Sequence, residues 1–424
     1  MRICFLVHEL GRSGGAETIR SYARELEARH DFDVDVVFTD PRAAAGRRDV
    51  PRGSGPYDVA IATWWGTAGH LWRVPARRRA VLLQSIESRF YQERHFFERL
   101  AAEEVLSLPV AFVTVAGWMR DLLAELRPDA PCEVVRRGID KSAFAPGQRA
   151  PREGPLRVLV EGQPSMWFKG IHEAVACVGA MREPAELSVV AGDPADAGEV
   201  DGARVVGGLD PGGMAGLYAR SDVLLKLSRV ESLGLAPIEA AHMGTPAVVT
   251  PYTGHEEHVV HGRNGLVVGF DDAPGTVRAL DRLARDPSLL GTLSEGALQT
   301  AREWPSAEDA ADFFADALRA IAERPAPDAE PALQDLARAR LRRLELTREY
   351  VRQAEAALER AEGERDWLRR ALQEARDHVE ELGTAMRGLE GIVAQKDRLI
   401  EDIRSERAYR AAVAVRRALL RRGG

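Results

Sequence analysis

The sequence contains few cysteines, few lysines and no long apolar run. The three cysteines, Cys4, Cys132 and Cys177, lie far apart and show no metal-ligand spacing. We therefore expect reduced thiols rather than a disulfide scaffold or a cysteine metal site. No run of about 18 apolar residues occurs, so we predict no transmembrane helix. The apolar start, residues 1–7, is too short for a signal peptide and predicts a buried strand. Together these absences predict a cytoplasmic protein.

Lysine is much scarcer than arginine. Of the 58 Lys and Arg residues, only Lys141, Lys169, Lys226 and Lys396 are lysines. A lysine kept in so arginine-rich a chain is a candidate for a task that a guanidinium cannot perform, although chance also leaves a few. The net charge of −7 argues against general nucleic-acid binding, and we expect no nucleic-acid partner.

Two blocks of short apolar runs alternate with helix patterns. The first block covers residues 1–150 and the second covers residues 151–305, and residues 145–155 between them form a Pro/Gly-rich linker. Alternating strands and helices predict a parallel sheet covered on both faces. Ligands of such doubly wound, Rossmann-like domains bind at the carboxyl ends of the strands. The pattern therefore predicts two α/β domains that face a cleft.

The remaining residues predict helices. A helix pattern covers residues 306–323, and a Pro-rich linker covers residues 324–331. Residues 332–412 fit an uninterrupted seven-residue frame, which favours a coiled coil in a parallel homodimer over a single solvated helix. The basic tail, residues 413–424, either lies on an anionic membrane surface at the inner face of the membrane or is a soluble helix end.

The most specific motif is Glu231-Ser-Leu-Gly-Leu-Ala-Pro-Ile-Glu239. Two carboxylates stand eight positions apart, and Pro237 fits the first turn of a helix. Free N–H groups at a helix start can hold oxygen-rich ligands. Glu239 is then close enough to accept hydrogen bonds from a diol such as a ribose. This layout suits a sugar nucleotide, with one carboxylate for each sugar.

This stretch, with the downstream Gly244-Thr-Pro246-Ala-Val-Val249, resembles the Glu-x7-Glu signature of retaining glycosyltransferases of the GT-B fold. These enzymes form glycosyltransferase family 4, also called glycosyl transferases group 1. The chain departs from the signature at Ser232 and Leu233, and at Ala241-His242. The resemblance implies transfer of a sugar from a nucleoside diphosphate to a saccharide or lipid-linked acceptor. It also implies retention by front-face displacement, in which the leaving phosphate helps to deprotonate the acceptor.

The resemblance also implies roles for individual residues. Glu231 would hold the donor sugar and Lys169 the diphosphate, and both would be catalytic. Glu239 would hold the ribose. Backbone contacts to the donor would come from Ser232, Leu233, Gly234 and Leu235. Residues 306–323 would pack on the first domain. We expect no cofactor and no metal ion, because no Asp-x-Asp motif with cation spacing appears in a suitable loop.

Three further segments resemble donor-binding parts of the family. The turn Leu10–Glu17 resembles a G-G-x-E turn, with Gly14 and Gly15 as the expected donor contacts. Gly254 belongs to a loop expected beside the donor. At Gln163 the family usually has an Arg that grips the diphosphate together with the Lys at position 169. The missing charge could be replaced by one of four cations, namely Arg136, Arg137, Lys226 or Arg229.

Two clusters follow strands of the first block and are expected to reach the cleft. They contain Trp64 and Trp65, and Gln84 and Glu87. They resemble segments of rhamnosyltransferase-like enzymes of bacterial polysaccharide assembly, which implies that they contact the acceptor. Aromatic rings suit sugar faces, but the two tryptophans could equally belong to the core.

A second function from a different class remains open. The chain could be an inactive scaffold of the same fold that recruits partners through its coiled coil. The missing arginine at Gln163 favours this alternative, and the intact carboxylate pair opposes it.

Overall fold

The computed structural model describes residues 1–8, 14–39, 56–145, 152, 154–192, 200, 203–327, 329–405, 410–411, 413–414 and 416. Most of the linker at residues 145–155 and of the tail at residues 413–424 lies outside the described residues. Within the described part, two six-stranded sheets form, and every strand pair in them is parallel. Two doubly wound lobes are thus present, as the alternating pattern predicted.

The first lobe is built on six strands in the order β2-β1-β3-β4-β5-β6. They are β1 (Arg2–Val7), β2 (Asp33–Phe38), β3 (Tyr57–Ala62), β4 (Ala76–Leu83), β5 (Ala111–Thr114) and β6 (Cys132–Val134). Its helices are α1 (Gly14–His30), α2 (Trp65–Ala68), α3 (Phe96–Glu104) and α4 (Gly117–Leu126). The central strands are buried on both faces, which explains their continuous apolar sequences.

The second lobe has the strand order β12-β11-β10-β7-β8-β9. Its strands are β7 (Leu156–Glu161), β8 (Ala185–Ala191), β9 (Arg204–Gly207), β10 (Val223–Lys226), β11 (Ala247–Val249) and β12 (Gly265–Val267). Its helices are α5 (Ile171–Gly179), α6 (Pro211–Arg220), α7 (Leu235–His242), α8 (Ala273–Arg285) and α9 (Pro287–Glu303). The order reverses between β7 and β10, and ligands bind at such a switch point in doubly wound sheets.

The helix after the second lobe returns to the first. Helix α10 (Ala307–Glu323) packs its apolar face into the core of the first lobe. The ring of Phe314 stacks on Tyr22 at 4.4 Å, and Asp312 pairs with Arg29 at 2.9 Å. Helix α10 therefore ties the end of the second lobe to the first sheet.

The last helix, α11 (Glu330–Ser405), continues beyond the lobes. The lobes and its first turns form one compact unit that ends at Arg340, and the chain from Leu341 onward forms a second unit. Leu344, Val351 and Leu358 repeat at one position of the predicted seven-residue frame, and they are exposed by 46% to 62%. The long helix is present, and the coiled coil remains a prediction. No helix among the described residues is long and apolar enough to cross a membrane.

Candidate active site in the interlobe cleft

A cleft of about 740 Å³ lies between the two lobes. Strand ends and helix starts from both lobes line it, which is where the parallel-sheet rule places ligands. Most of the residues predicted to bind a ligand meet here. They are Glu231, Lys169, Glu239, Ser232, Leu233, Gly234, Leu235, Gly15, Trp64, Gln84 and Glu87.

The loop from β10 to α7 carries the predicted carboxylate pair. Helix α7 begins at Leu235, with Pro237 in its first turn. Gly234, just before the helix, has a φ of 75°, and an added Cβ there would collide with the hydroxyl group of Tyr252. Only glycine adopts this backbone conformation without strain. The turn therefore directs Glu231 and Glu239 into the same cleft.

Four charged side chains form a continuous cluster on the second lobe. Glu231 accepts hydrogen bonds from the Lys169 ammonium at 2.8 Å and from the Ser228 hydroxyl at 2.9 Å. The Lys226 ammonium lies 3.0 Å from Glu231 and 2.7 Å from Glu161. Two ammonium groups and two carboxylates make the cluster formally neutral. Lys226 is only 2% exposed, so its charge depends on these carboxylates.

The cluster keeps Glu231 ionised. Burial alone would raise the pKa of Glu231, but the ammonium groups of Lys226 and Lys169 hold it at about 2. Burial would likewise lower the pKa of Lys226, and the carboxylates of Glu161 and Glu231 raise it instead. At neutral pH, Glu231 is thus a fixed acceptor of hydrogen bonds from hydroxyl groups in the cleft.

Glu239 has a different environment. The Tyr218 hydroxyl donates a hydrogen bond to its Oε2 at 3.1 Å. Burial raises the pKa of Glu239, and the nearby Arg137 guanidinium opposes this rise. One carboxylate oxygen is therefore held by Tyr218, and the other can accept a hydrogen bond from a ligand hydroxyl.

The wall on the first lobe combines an aromatic ring with a buried acid. Glu87 follows β4, and its Oε2 accepts a hydrogen bond from the backbone N–H of Trp65 at 2.8 Å. Burial raises the pKa of Glu87 to about 8, so this carboxyl is largely protonated at neutral pH. Trp64 also lines the cleft, with its ring centroid 5.1 Å from that of His8. Gln84 lies against Gly15 at the start of α1.

Four predicted contacts do not line the cleft. Trp65 packs against the core and donates from its indole to the Tyr91 hydroxyl at 3.0 Å, so direct contact with an acceptor is not expected there. The side-chain nitrogen of Gln163 is buried and has no hydrogen-bond partner among the described residues. Helix α1 begins at Gly14, whereas Gly15 reaches the cleft wall. Gly254 acts on the cleft indirectly, through its backbone.

Gly254 supports the Glu231 loop from behind. Its φ is 92°, and an added Cβ would collide with the Ser232 carbonyl group. That carbonyl accepts a hydrogen bond from the indole of Trp118 on the first lobe at 2.6 Å. The glycine thus allows the loop of one lobe and helix α4 of the other to meet at Ser232.

The loop after Gly254 also joins the lobes. Glu257 accepts the N–H of Gly117 at 2.7 Å, at the start of helix α4, and pairs with Arg136 at 2.9 Å. A carboxylate is favourable at a helix N-terminus because the partial charge there is positive. The loop that contains Gly254 was expected beside the donor, and within it the Glu257 carboxylate holds the two lobes together.

Comparisons with known proteins agree with this architecture. Residues 156–286 match the family described as glycosyl transferases group 1. The matched residues make up most of the second lobe. Glycogen synthase of Mycobacterium tuberculosis is 30% identical over 203 residues, which are 45% of this chain and 49% of that protein. The chain thus spans about half the length of this curated relative.

Solved structures show the same fold over both lobes. Sucrose-phosphate synthase from Thermosynechococcus elongatus superposes with a TM-score of 0.64 at 19% identity, over 76% of this chain and 99% of that one. Anabaena Alr3699/HepE in complex with UDP and glucose superposes with a TM-score of 0.60 at 16% identity, over 76% and 100% of the chains. The fold of the two lobes is GT-B.

Sequence reasoning missed Glu161 and Tyr218 as cleft residues. Glu161 ends strand β7, and a carboxylate at the carboxyl end of a buried strand is the one signal that would have identified it. Tyr218 lies within helix α6, and nothing in the sequence connects it with Glu239. Arg137 was one of four candidate cations, and only the structure separates it from the others.

Proposed function

We propose that the chain is a glycosyltransferase that moves a sugar from a nucleoside diphosphate to a saccharide or lipid-linked acceptor. The observation that carries this function is the arrangement of Glu231 and Glu239 on one cleft wall, beside Lys169. The group 1 domain and the likeness to a fold solved with UDP and glucose support it.

Each side chain has a task in this reaction. Glu231, ionised by its lysine neighbours, accepts hydrogen bonds from the donor sugar. Glu239 accepts hydrogen bonds from the ribose through the carboxylate oxygen that is not bonded to Tyr218. The Lys169 ammonium stabilises the negative charge that grows on the leaving diphosphate, and such fixed charges account for much of transition-state stabilisation. The backbone from Ser232 to Leu235 contacts the donor at the start of α7.

The first lobe would hold the acceptor. Trp64 offers an aromatic surface for a sugar ring, and Gln84 and Glu87 offer polar groups for its hydroxyls. We further propose retention of the anomeric configuration by front-face displacement, without a metal ion or other cofactor. We also propose a role in bacterial cell-surface polysaccharide assembly, because the segments that contain Trp64 and Glu87 resemble rhamnosyltransferase-like enzymes of that process.

The assembly and location of the protein belong to the same proposal. The exposed apolar residues of α11 would pair with a second copy, and the protein would act in the cytoplasm. The basic tail would place it at the inner face of the membrane. Dimerisation would be read from the oligomeric mass, and membrane contact from sedimentation with vesicles that contain anionic lipid.

A panel of nucleoside diphosphate sugars tests the function. The purified chain is incubated with the mixed panel, and mass spectrometry reports which donor is hydrolysed or transferred. We expect turnover of one donor, and we expect Glu231→Gln to slow it because one hydrogen-bonding charge is lost. NMR of the transferred sugar then reports whether the anomeric configuration is retained.

One observation favours the scaffold alternative. Gln163 stands where the family has a diphosphate-binding arginine, and the charge cluster around Glu231 is formally neutral. If the chain hydrolyses no donor in the panel, and Glu239→Ala changes no donor affinity, the glycosyltransferase proposal is wrong. The inactive scaffold is then the remaining hypothesis.

A further inference from the structure

A diphosphate in the cleft needs positive charge that is not already neutralised. The Lys169 ammonium is one cation, but it already pairs with Glu231 at 2.8 Å, and the arginine expected at Gln163 is missing. The residues that could supply a second charge are Arg136, Arg137, Lys226 and Arg229. Their contacts differ, and those differences decide which of them is available to a ligand.

Three of the four cations are engaged elsewhere. Arg136 is exposed and pairs with Glu257, and Arg229 pairs with Asp271. Neither of these two arginines lines the cleft. Lys226 does line it, but two carboxylates already bind its ammonium, at 2.7 Å and 3.0 Å. A phosphate that drew Lys226 away would leave those carboxylates buried without their partner, which is costly.

Arg137 is in the opposite situation. It lines the cleft from the first lobe, just after β6. Within the part of the chain that the structure describes, no carboxylate lies within ion-pair distance of its guanidinium, and its side chain donates no hydrogen bond. Burial lowers the pKa of Arg137, and the acidic groups that oppose this, namely Glu239, Tyr22 and Glu17, lie beyond ion-pair distance. Since arginine stays charged in proteins, Arg137 is a half-buried, partly desolvated cation without a carboxylate partner among the described residues.

The surroundings of Arg137 favour an anion next to a ribose. Glu239, the proposed ribose contact, lies near enough for their charges to interact. The first turns of the 17-residue helix α1 line the same cleft through Gly15 and Thr18. The positive end of the α1 dipole therefore adds to the charge of Arg137. In a sugar nucleotide, the group attached to the ribose is the diphosphate.

We propose that Arg137 is the second cation of the diphosphate site and replaces, from the opposite lobe, the arginine missing at Gln163. This inference rests on the proposed function. Its consequence is that a diphosphate bound to Lys169 and Arg137 contacts both lobes at once. Donor binding then stabilises the closed cleft, in addition to the interlobe contact between Glu257 and helix α4.

The test uses the full chain and isothermal titration with UDP, GDP, ADP and dTDP. Affinity for the corresponding nucleosides is measured by ligand-observed NMR. We expect Arg137→Gln to weaken the binding of whichever nucleoside diphosphate the wild type binds. The ratio of diphosphate affinity to nucleoside affinity should fall by about 10- to 100-fold, because hydrogen bonds to charged groups are strong. Arg137→Lys should keep part of the affinity. Arg24→Gln is the matched control, since it removes an exposed arginine of the same lobe that pairs with Glu25.

Thermal unfolding without ligand gives a second readout. Removing a desolvated and unpaired charge should leave Arg137→Gln at least as stable as the wild type, while the stabilisation by added diphosphate shrinks. An unchanged ratio of diphosphate to nucleoside affinity would overturn the role of Arg137 and leave the proposed function intact. If the wild type binds none of the four diphosphates, both fail.

Discussion

Glu87 provides a prediction whose size follows from the structure. Its carboxyl lies in the cleft wall and accepts one hydrogen bond, from the N–H of Trp65. No basic side chain among the described residues lies within ion-pair distance of Glu87. Burial raises its pKa from 4.5 to about 8. The folded chain therefore keeps a proton that the unfolded chain releases between these two pH values.

The sign and size of the effect follow from proton linkage. Where the native state binds more protons than the unfolded state, the free energy of unfolding falls as the pH rises. The contribution of Glu87 to the free energy of unfolding is fully present below pH 4.5. It falls by about 1.4 kcal/mol for each pH unit between the two pKa values and is lost above pH 8. Between pH 5 and pH 8 this amounts to about 4 kcal/mol.

The variant Glu87→Gln removes this titration and keeps the shape of the side chain. Its amide oxygen can still accept the Trp65 N–H. We expect the unfolding free energy of the wild type, relative to this variant, to fall by about 4 kcal/mol from pH 5 to pH 8. Urea unfolding followed by tryptophan fluorescence in matched buffers measures it.

Glu27→Gln controls for the loss of one carboxylate, since Glu27 is exposed on helix α1. A stability difference between the wild type and Glu87→Gln that stays constant from pH 5 to pH 8 would mean that burial does not raise the pKa of Glu87. Glu87 would then titrate as a solvated acid, and the cleft wall proposed to hold the acceptor would not be shielded from water.

Three further predictions concern packing and assembly. Lys226→Met should lower the unfolding free energy by about 3–5 kcal/mol, because it leaves buried carboxylates without their cation. Adding Glu161→Gln should recover part of this loss in urea unfolding, and purely additive effects would contradict the cluster. Gly254→Ala should cost more than about 1 kcal/mol in thermal unfolding, since its φ is positive. Gly291→Ala, in open space on α9, should instead stabilise the chain. Cleavage of the chain after Arg340 should convert a dimer into a monomer in analytical ultracentrifugation, and an unchanged mass would contradict pairing through α11.

Much of the fold could be predicted because local patterns determine it. Each predicted strand contains a short apolar run, and the alternation of strands with helices is enough to imply parallel sheets. The sequence pattern predicts helices that start near Ala16 and Gly117, and in the structure α1 begins at Gly14 and α4 at Gly117. The spacing of Glu231 and Glu239, with Pro237 between them, was enough to bring both to one wall of the cleft.

The partners of these carboxylates could not be predicted. Lys226 meets Glu161 across 65 positions of sequence, through the pairing of β10 with β7. Local patterns contain no signal for a contact that tertiary packing creates. The two adjacent tryptophans diverge for a similar reason. Trp64 precedes α2 and faces the cleft, whereas Trp65 begins the helix and turns toward Tyr91.

A crystal structure of the chain with the sugar nucleotide that the panel identifies would show directly whether the two glutamates hold the donor. Ribose hydroxyls are expected within hydrogen-bond distance of Glu239, donor-sugar hydroxyls at Glu231, and the diphosphate at Lys169. A donor bound outside the cleft, or bound within it without contact to either glutamate, would mean that the carboxylate pair does not bind the sugar nucleotide.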